Sequence, residues 1–476
     1  MIMNKKIPVL ICLFLSAIIC GFSQNSEETI YTLDDCIELA IRNNLDLKSS
    51  KLNAKTSDIN YNQVRLDVIP SLNANYNIGV NNGRSIDPFS NNYVNQELTF
   101  SNAGLSLNAT LFNGFRMLNT IKQYKFSLEA SEMEIEEAKQ NLILEVTLRY
   151  IQILNAKDLI ALAKSRVEST KTQLKRLETH YNLGDGNPVD YTDMKGQYTS
   201  DQMGVINSEN NLKSAILELL KLLNIEMESG VSFENILGLV TTDKYLYSAD
   251  EVYDDALINL ATFKSKELRI EAADAGIKVA RSLYFPEVSL FGQLNTNYSS
   301  VAESFTNTGT IVTETGDFVD INSQEYPVLR NEIQFEGAKI DYYDQFNNNL
   351  NSVIGVSVRI PLFNGFRSKN AVSLQKIEQE ESLLVLQNTK LIFKQSIEEA
   401  YNNMEVAFDR YQILLEQVQS FDESFRVNEI RFNNGVSNIV DYITSKNNMD
   451  SAKLNLSKTK YEYLLRIKVL DYYRGL

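Results

Sequence analysis

The chain has 476 residues, with 61 acidic against 46 basic side chains, a net charge of −15 at neutral pH, one histidine and three cysteines. This charge argues against nucleic acid and anionic lipid headgroups as partners, although ordinary solubility accounts for it as well. The lone His180 provides neither a metal triad nor a nucleophile–base pair, and no glycine-rich phosphate loop follows a strand. We therefore expect no enzyme activity, no cofactor and no metal site.

The N-terminus reads as an export signal. Two lysines, a short apolar run and small residues predict a signal peptide over 1–23, cut after Ser23, because the run is too short to cross a membrane as a helix. Cys20 offers a lipoprotein alternative, which the bulky Ile19 before it disfavours. After cleavage Cys36 is the only cysteine, so no intrachain disulfide is expected.

The rest of the chain is a duplication. The sequence Leu-Phe-Asn-Gly-Phe-Arg stands at 111–116 and again at 362–367, which is 251 residues later. Val-Asp-Tyr at 189–191 returns at 440–442 with the same separation. Two separated motifs with one offset indicate two structural repeats, which we place at 24–230 and 231–476.

Residues upstream of these motifs match at a shorter offset, as Pro70 does with Pro286, 216 residues later. The difference between 251 and 216 is an insertion of 35 residues in the second repeat. The segment 297–349, rich in Asn, Thr and Ser, shows neither helical nor strand periodicity. We expect it to form one long exposed extracellular loop.

Each repeat contains two segments in which apolar and polar residues alternate. These predicted strands cover about 71–80, 103–112, 287–296 and 352–362. Their length and period are those of strands in outer-membrane barrels, while a single such strand would also suit a soluble sheet with one wet face. Four strands leave two open edges in lipid, so the chain must close a barrel with copies of itself.

Long helices follow the second strand of each repeat. No proline lies between 89 and 187 or after 361, and apolar residues recur every three, four or seven positions for more than 60 residues. Each stretch therefore predicts one helix about 95 Å long with coiled-coil-like packing. Further helices are predicted before the first strand and after the long helix of each repeat, at 33–68, 188–223, 249–284 and 439–470.

Two tips, about 183–187 and 434–438, join each long helix to its returning helix. Asn187 and Asn438 suit the N-cap position of the returning helices. Asp190 and Asp441 follow three residues later, where the acid of a capping box would reach back.

With this order of elements repeated twice, the chain resembles the TolC family of outer-membrane efflux proteins over essentially its whole mature length. The resemblance implies a mainly α fold with a membrane β-barrel, built as a homotrimer with twelve shared strands and a helical tunnel across the periplasm. It also implies a passive exit duct for tripartite efflux or type I secretion, docked to an inner-membrane pump through a periplasmic adaptor. Two alternatives remain. A porin-like channel would explain the strands but not the helices, and a periplasmic coiled-coil scaffold would explain the helices but not the strands.

The resemblance also implies site residues. Asp441 matches the first acid of the family's periplasmic entrance, Thr444 occupies the place of a second acid, and Asp190 is the counterpart in the first repeat. A ring of like charges would favour cations, whereas the alternative is that these residues only cap helices. The residues implied in adaptor docking are Gly184, Asp185, Gly186, Gly435 and Val436.

The duplicated junction motif places four aromatic residues between strand and helix, namely Phe112, Phe115, Phe363 and Phe366. They suit either an aromatic belt at the membrane interface or a buried plug between helices.

Overall fold

The computed structural model describes residues 30–86, 91–95, 97–226, 232–234 and 243–476. The expected signal peptide and Cys20 lie outside them. Within these ranges the helices are α1 (Leu33–Asn43), α2 (Leu45–Leu66), α3 (Arg116–Leu183), α4 (Pro188–Leu223), α5 (Ala249–Asn259), α6 (Ala261–Arg281), α7 (Tyr342–Asn348), α8 (Arg367–Asn433) and α9 (Ile439–Tyr473). The strands are β1 (Ile30–Tyr31), β2 (Ser71–Asn81), β3 (Arg84–Ile86), β4 (Tyr93–Asn95), β5 (Leu98–Asn113), β6 (Ser232–Phe233), β7 (Glu287–Ser299), β8 (Glu303–Ile321), β9 (Gln324–Lys339) and β10 (Asn351–Arg359).

The fold is mostly helical and divides into two compact units. Of the described residues, the first unit takes in those of 30–58, 126–270 and 381–476, and the second those of 59–125 and 271–380. No helix in the described part of the chain is long and apolar enough to cross a membrane.

The two long helices confirm the prediction of one uninterrupted helix after each strand pair, since α3 has 68 residues and α8 has 67. The stretches 33–68 and 249–284, which we expected to be single helices, are each broken. Asn44 ends α1, and its side-chain oxygen accepts a hydrogen bond from Leu47 N at 2.9 Å. Leu260 has an extended backbone between α5 and α6. The break was missed because the apolar period continues across it.

Both broken segments begin with the same cap. Thr32 and Asp35 form a reciprocal capping box at α1, and Ser248 with Glu251 forms one at α5, 216 residues further on in each case. The duplication is therefore visible in hydrogen bonds as well as in sequence.

The first unit is held by packed helix faces. Cys36, Val146 and Leu219 are buried in its largest apolar cluster. Tyr150, also buried, donates its hydroxyl to the carbonyl oxygens of Tyr31 and Glu234, at 3.0 and 2.8 Å. Through these bonds the long helix α3 holds the short parallel pair formed by β1 and β6.

The second unit contains a four-stranded antiparallel sheet in the order β10–β7–β5–β2. Its registers place one set of apolar residues on one side, which we call the apolar sheet face: Leu72, Leu107, Leu290, Ile354 and Val356. The other side, the amide face, carries Asn73, Asn75, Asn77, Gln293 and Asn295. At Gly104 a Cβ atom would lie 2.7 Å from Asn295 Oδ1 and 2.8 Å from Asn75 Oδ1, so these amides flank the glycine.

The strand bounds differ from the expected ones at their ends. The last strand stops at Arg359 instead of continuing to Leu362, because Pro361 has no N–H to donate to a neighbouring strand. β5 begins at Leu98 and β7 ends at Ser299, so both extend further than the clean alternation of their side chains.

The prediction that 297–349 forms an irregular loop is wrong. The segment forms the hairpin β8–β9 followed by the helix α7. Its side chains are mostly exposed, as expected. The hairpin was missed because register shifts between Asn307 and Gly309 and between Glu314 and Phe318 break the period-two pattern of β8.

The duplicated junctions share one strained backbone turn. Gly114 and Phe115 have φ of 67° and 63°, and Gly365 and Phe366 have φ of 64° and 61°. A Cβ atom on Gly114 would lie 2.6 Å from Phe285 Cβ and 2.7 Å from a backbone oxygen, whereas one on Gly365 would meet nothing within 4 Å.

We expect Gly114→Ala to destabilise the protein more than Gly365→Ala. Both substitutions place an alanine in the left-handed region, which costs about 1–2 kcal/mol. Only the alanine at position 114 would also clash with Phe285 and a backbone oxygen, which would have to move. Thermal melting of the detergent-purified variants, followed by circular dichroism, measures the difference. Equal losses of melting temperature in the two variants would contradict this account.

Candidate functional site

The two helical tips end their long helices in the same way. Gly184 N donates to Tyr181 O at 3.1 Å and Asp185 N to His180 O at 3.2 Å. Gly435 N donates to Phe432 O at 3.0 Å, and Val436 N donates to Arg431 O at 2.8 Å. Both glycines have positive φ, 83° and 72°. These are Schellman motifs, in which glycine at the left-handed position is required by the turn itself.

The first tip has an additional electrostatic contact. His180 Nδ1 lies 3.2 Å from Asp185 Oδ1, at the two positions that often make an apolar contact in this motif. Gly186 is needed for close packing, because a Cβ atom there would lie 2.6 Å from Tyr181 N. The second tip carries an exposed valine, Val436, 66% of whose surface is accessible.

The returning helices are capped by Asn187 and Asn438, but the expected capping boxes do not form. Asn187 accepts from Val189 N at 3.0 Å, and its own side-chain nitrogen donates to Asp190 Oδ1 at 3.0 Å. Asn438 accepts from Asp441 N at 2.8 Å. Asparagine offers a side-chain donor that competes with its backbone N–H, and Asp190 bonds to that donor instead.

Asp190 and Asp441 lie on the first turns of the returning helices, and Thr444 lies on the second turn of its helix. Asp190 is half-buried, and Asp441 and Thr444 are exposed. Burial and the neighbouring charge of Asp193 raise the pKa of the Asp190 carboxyl above its usual value. Asp441 receives a bond from Ser437 Oγ at 3.3 Å, so it is tied to its own tip.

An aromatic stack recurs in both hairpins but with different burial. Tyr181 stacks on Tyr191 with ring centres 5.2 Å apart, and the equivalent Phe432 stacks on Tyr442 at 4.9 Å. Tyr442 is fully buried in an apolar cluster with Met194 of the first repeat. The helices next to the two tips are thus packed together within one chain.

A polar contact reinforces this packing. Arg176, near the end of α3, donates to the side-chain oxygen of Asn433 and, at 2.6 Å, to its backbone oxygen. The last residue of α8 is therefore hydrogen-bonded to α3, the long helix of the first repeat.

Further along the same helices lies a buried charge network that the sequence analysis missed. Lys446 Nζ lies 2.7 Å from Asp450 Oδ2 and 3.4 Å from Asp201 Oδ2. Arg166 Nε lies 2.7 Å from Asp201 Oδ1 and 3.2 Å from Asp450 Oδ2. Thr170 Oγ1 also donates to Asp201, at 2.5 Å. The two cations and two carboxylates, which we call the four-charge cluster, join α3, α4 and α9.

One sequence signal could have revealed this cluster. Ile439, Tyr442, Lys446 and Met449 follow the three–four spacing of a buried helix stripe, and all four are buried. A lysine in such a stripe needs a charged partner, which the amphipathic pattern alone does not name.

The junction aromatics form two separate pairs. Phe112 and Phe115 meet edge to face with ring centres 5.4 Å apart, and Phe363 and Phe366 do so at 5.7 Å. Phe115, Phe363 and Phe366 are exposed, and Phe112 is half-buried. Three of the four rings are thus exposed in the single chain, and the choice between an interface belt and a plug between helices stays a prediction.

No cluster of metal-ligating side chains is found among the residues the structure covers. The chemistry of the tips is that of exposed carboxylates, glycine turns and small apolar side chains.

The family model described as outer membrane efflux protein matches residues 36–224 and 252–471. The outer membrane protein TolC of Escherichia coli is 22% identical over 465 residues, which cover 97% of this chain and 85% of the relative. The toxin and drug export protein A of Aggregatibacter actinomycetemcomitans is 22% identical over 447 residues, covering 91% and 83%. The open state of the MtrE outer membrane channel of Neisseria gonorrhoeae superposes with a TM-score of 0.69 at 18% identity, covering 93% of this chain and 88% of that one.

Proposed function

Since this chain belongs to the outer membrane efflux protein family, we propose that it is the exit duct through which an inner-membrane pump and a periplasmic adaptor pass their substrates. Proteins of this family are outer-membrane channels and not enzymes. The duct would conduct passively, since directionality belongs to the pump.

The observation that carries this proposal is the four-stranded sheet with an exposed apolar face. Leu72, Ile354 and Val356 on the apolar sheet face are exposed, as lipid-facing side chains of a barrel are. Within the described residues, the edge strands β2 and β10 each have a strand on one side only. Open edges are not tolerated in lipid, so we infer that several copies close one barrel, and the resemblance to outer-membrane efflux proteins implies three copies with twelve strands.

The amide face would line the interior of that barrel. The only charged residues in these four strands are Glu287 and Arg359, which are directly opposite each other at the strand ends. A wall of neutral amides does not discriminate ions by sign. Charge selectivity would therefore come from the helical tips, where Asp190 and Asp441 lie.

The tips also suit docking of an adaptor. Apolar side chains are exposed around both turns, with Val189 and Val440 at equivalent positions and Leu183 and Val436 beside the glycines. The glycines Gly184, Gly186 and Gly435 keep the turns narrow. We propose that these residues, together with Asp185, form the contact surface for the adaptor.

Planar-bilayer recording of the purified protein tests the proposal against its alternatives. A duct held narrow at its tips is expected to give small cation-selective currents. A porin would give large currents without any partner pump, and a periplasmic scaffold would remain in the aqueous phase and give none.

Replacing both Asp190 and Asp441 by Asn is expected to reduce cation selectivity by at least twofold, because two like charges per copy are removed from a narrow mouth. Since the pKa of Asp190 is raised, selectivity should also begin to fall at a higher pH than an ordinary aspartate would give. Reversal potentials in asymmetric KCl measure the change. Unchanged potentials would show that the two acids do not set the ion selectivity.

A further inference from the structure

The insertion of the second repeat forms a long, well-registered hairpin. Strands β8 and β9 pair from Glu303 opposite Lys339 at the base to Ile321 opposite Gln324 at the turn. Among its described residues, the first repeat has at the same place the short pair β3–β4. The hairpin is therefore a feature that the duplication by itself does not require.

Its base is fixed to the sheet by α7. Ser299 N donates to Gln345 Oε1 at 2.9 Å, and Gln345 Nε2 donates to the carbonyl oxygens of Ser299 and Ile340 at 3.0 and 2.8 Å. The Gln345 side chain is buried, and Ala302 at the start of the hairpin is buried too. These contacts fix the direction in which the hairpin leaves the sheet.

The two faces of the hairpin differ in chemistry. Alternate residues of β9 and those directly opposite them form what we call the apolar hairpin face. Its large apolar side chains are Pro327, Leu329, Ile333, Phe335, Phe305, Val312 and Phe318, and it also carries Asn307, Thr310, Glu314 and Asn331. A Cβ atom at Gly337 would lie 3.2 Å from the Phe305 ring, which places that ring across the strands on this face. The intervening residues of β9 include Arg330, Glu332 and Glu336, and the first two pair at 3.8 Å.

The apolar hairpin face is uncovered in the single chain. Phe305 is 67% exposed, Phe335 60% and Leu329 58%. Large side chains of this number and exposure present roughly 600 Å² of apolar surface, at the upper end of what a monomer shows. This approaches the ~800 Å² per partner of a stable interface.

The occupant that best suits this face is the same face of another copy. The sheet that carries the hairpin has two edge strands, so assembly brings identical hairpins to the same end of one barrel. Between residues 303 and 339 there are seven acidic and two basic side chains, which opposes adsorption on an anionic membrane surface. Most of these charges lie on the other face of the hairpin or near its base and turn. The exception is Glu314, which lies on the apolar hairpin face opposite Leu329.

We propose that the hairpins of the assembled copies pack apolar face against apolar face, forming a cap over the outer end of the duct. This inference rests on the proposed function, because it needs several copies around one barrel. It gives the inserted residues a role in narrowing the exit, separate from the entrance at the helical tips.

Neighbouring cysteines on opposite faces test the proposal in the full-length chain in isolated outer membranes. Phe335→Cys lies on the apolar hairpin face and Glu336→Cys on the other. Cys36 does not compete, since it is buried and burial raises the pKa of its thiol to about 12. With a short bis-maleimide we expect at least tenfold more cross-linked dimer from Phe335→Cys, and the same contrast between Leu329→Cys and Arg330→Cys.

The outcomes separate this inference from the proposed function. If the protein is trimeric by native mass but both cysteines of each pair cross-link equally, the cap is overturned and the duct stands. If Phe335→Cys is shielded from a water-soluble maleimide without cross-linking, lipid covers the face and the cap is likewise overturned. If no multi-copy assembly exists, the duct and the cap both fall.

Discussion

Replacing Lys446 by Met is expected to lower the free energy of unfolding by about 3–5 kcal/mol, the cost typical of breaking a buried ion pair by removing one partner. The Lys446 side chain is 1% exposed and that of Asp201 is 0% exposed. Without the ammonium group, two carboxylates share the single guanidinium of Arg166 and leave an uncompensated buried charge. Denaturation of the purified variant, followed by circular dichroism, measures the loss.

The same helix offers a matched control. Lys453 also pairs with an aspartate at 2.7 Å, but it and Asp422 are 38% and 56% exposed. Lys453→Met should therefore cost less than about 1 kcal/mol, as surface pairs do. The double variant Lys446→Met with Asp450→Leu restores charge balance around Arg166 and Asp201, so it should be more stable than Lys446→Met alone. Equal losses for Lys446→Met and Lys453→Met would show that the four-charge cluster does not join the helices as described.

Replacing Val356 by Arg should lower the amount of assembled protein in the outer membrane at least fivefold. Val356 lies near the middle of β10 on the apolar sheet face, and an arginine facing lipid there costs about 2–4 kcal/mol. Semi-native electrophoresis, with and without heating, measures the assembled fraction.

Ser357, the next residue, provides the control because it lies on the opposite side of the same strand, across from Ser289. Ser357→Arg should assemble normally and reduce cation conductance, since the new charge would face the interior of the duct. If Ser357→Arg disturbs assembly as much as Val356→Arg, the assignment of the two sheet faces is incorrect.

Much of the fold could be predicted from the repeated motifs. Leu-Phe-Asn-Gly-Phe-Arg at 111–116 and 362–367 marks both strand-to-helix junctions, because glycine followed by a left-handed phenylalanine makes the same turn in each. The absence of proline allowed the full lengths of α3 and α8 to be predicted. Glycine at Gly184 and Gly435 likewise predicted both tips, since a left-handed residue ends each helix.

What the sequence did not reveal depends on contacts between distant elements. The hairpin β8–β9 was missed because its bulges disturb the alternation that identifies a strand. The four-charge cluster was missed because Lys446 and Asp201 are 245 residues apart, and only packing of α4 against α9 makes them partners. Asn187 and Asn438 were correctly predicted as caps, while their bonds with the following acids depended on which side-chain atoms come into reach.

The same limit applies to the entrance. Asp190 and Asp441 occupy equivalent places in the two repeats, yet one is half-buried and the other exposed. The repeat predicts the position of each acid along the chain. The surroundings of each acid depend on how the two helical hairpins of the chain pack on each other, and this packing differs between the two repeats.

The central claim is that several copies of this chain close one membrane barrel around a common duct. Native mass spectrometry of the protein purified in mild detergent tests it most directly. We expect a single species of three chains, because the two edge strands of each sheet need other copies to pair with and the outer membrane efflux family implies three copies with twelve strands. A folded single chain in the micelle would contradict it, since the sheet would then expose unpaired strand edges to the acyl chains.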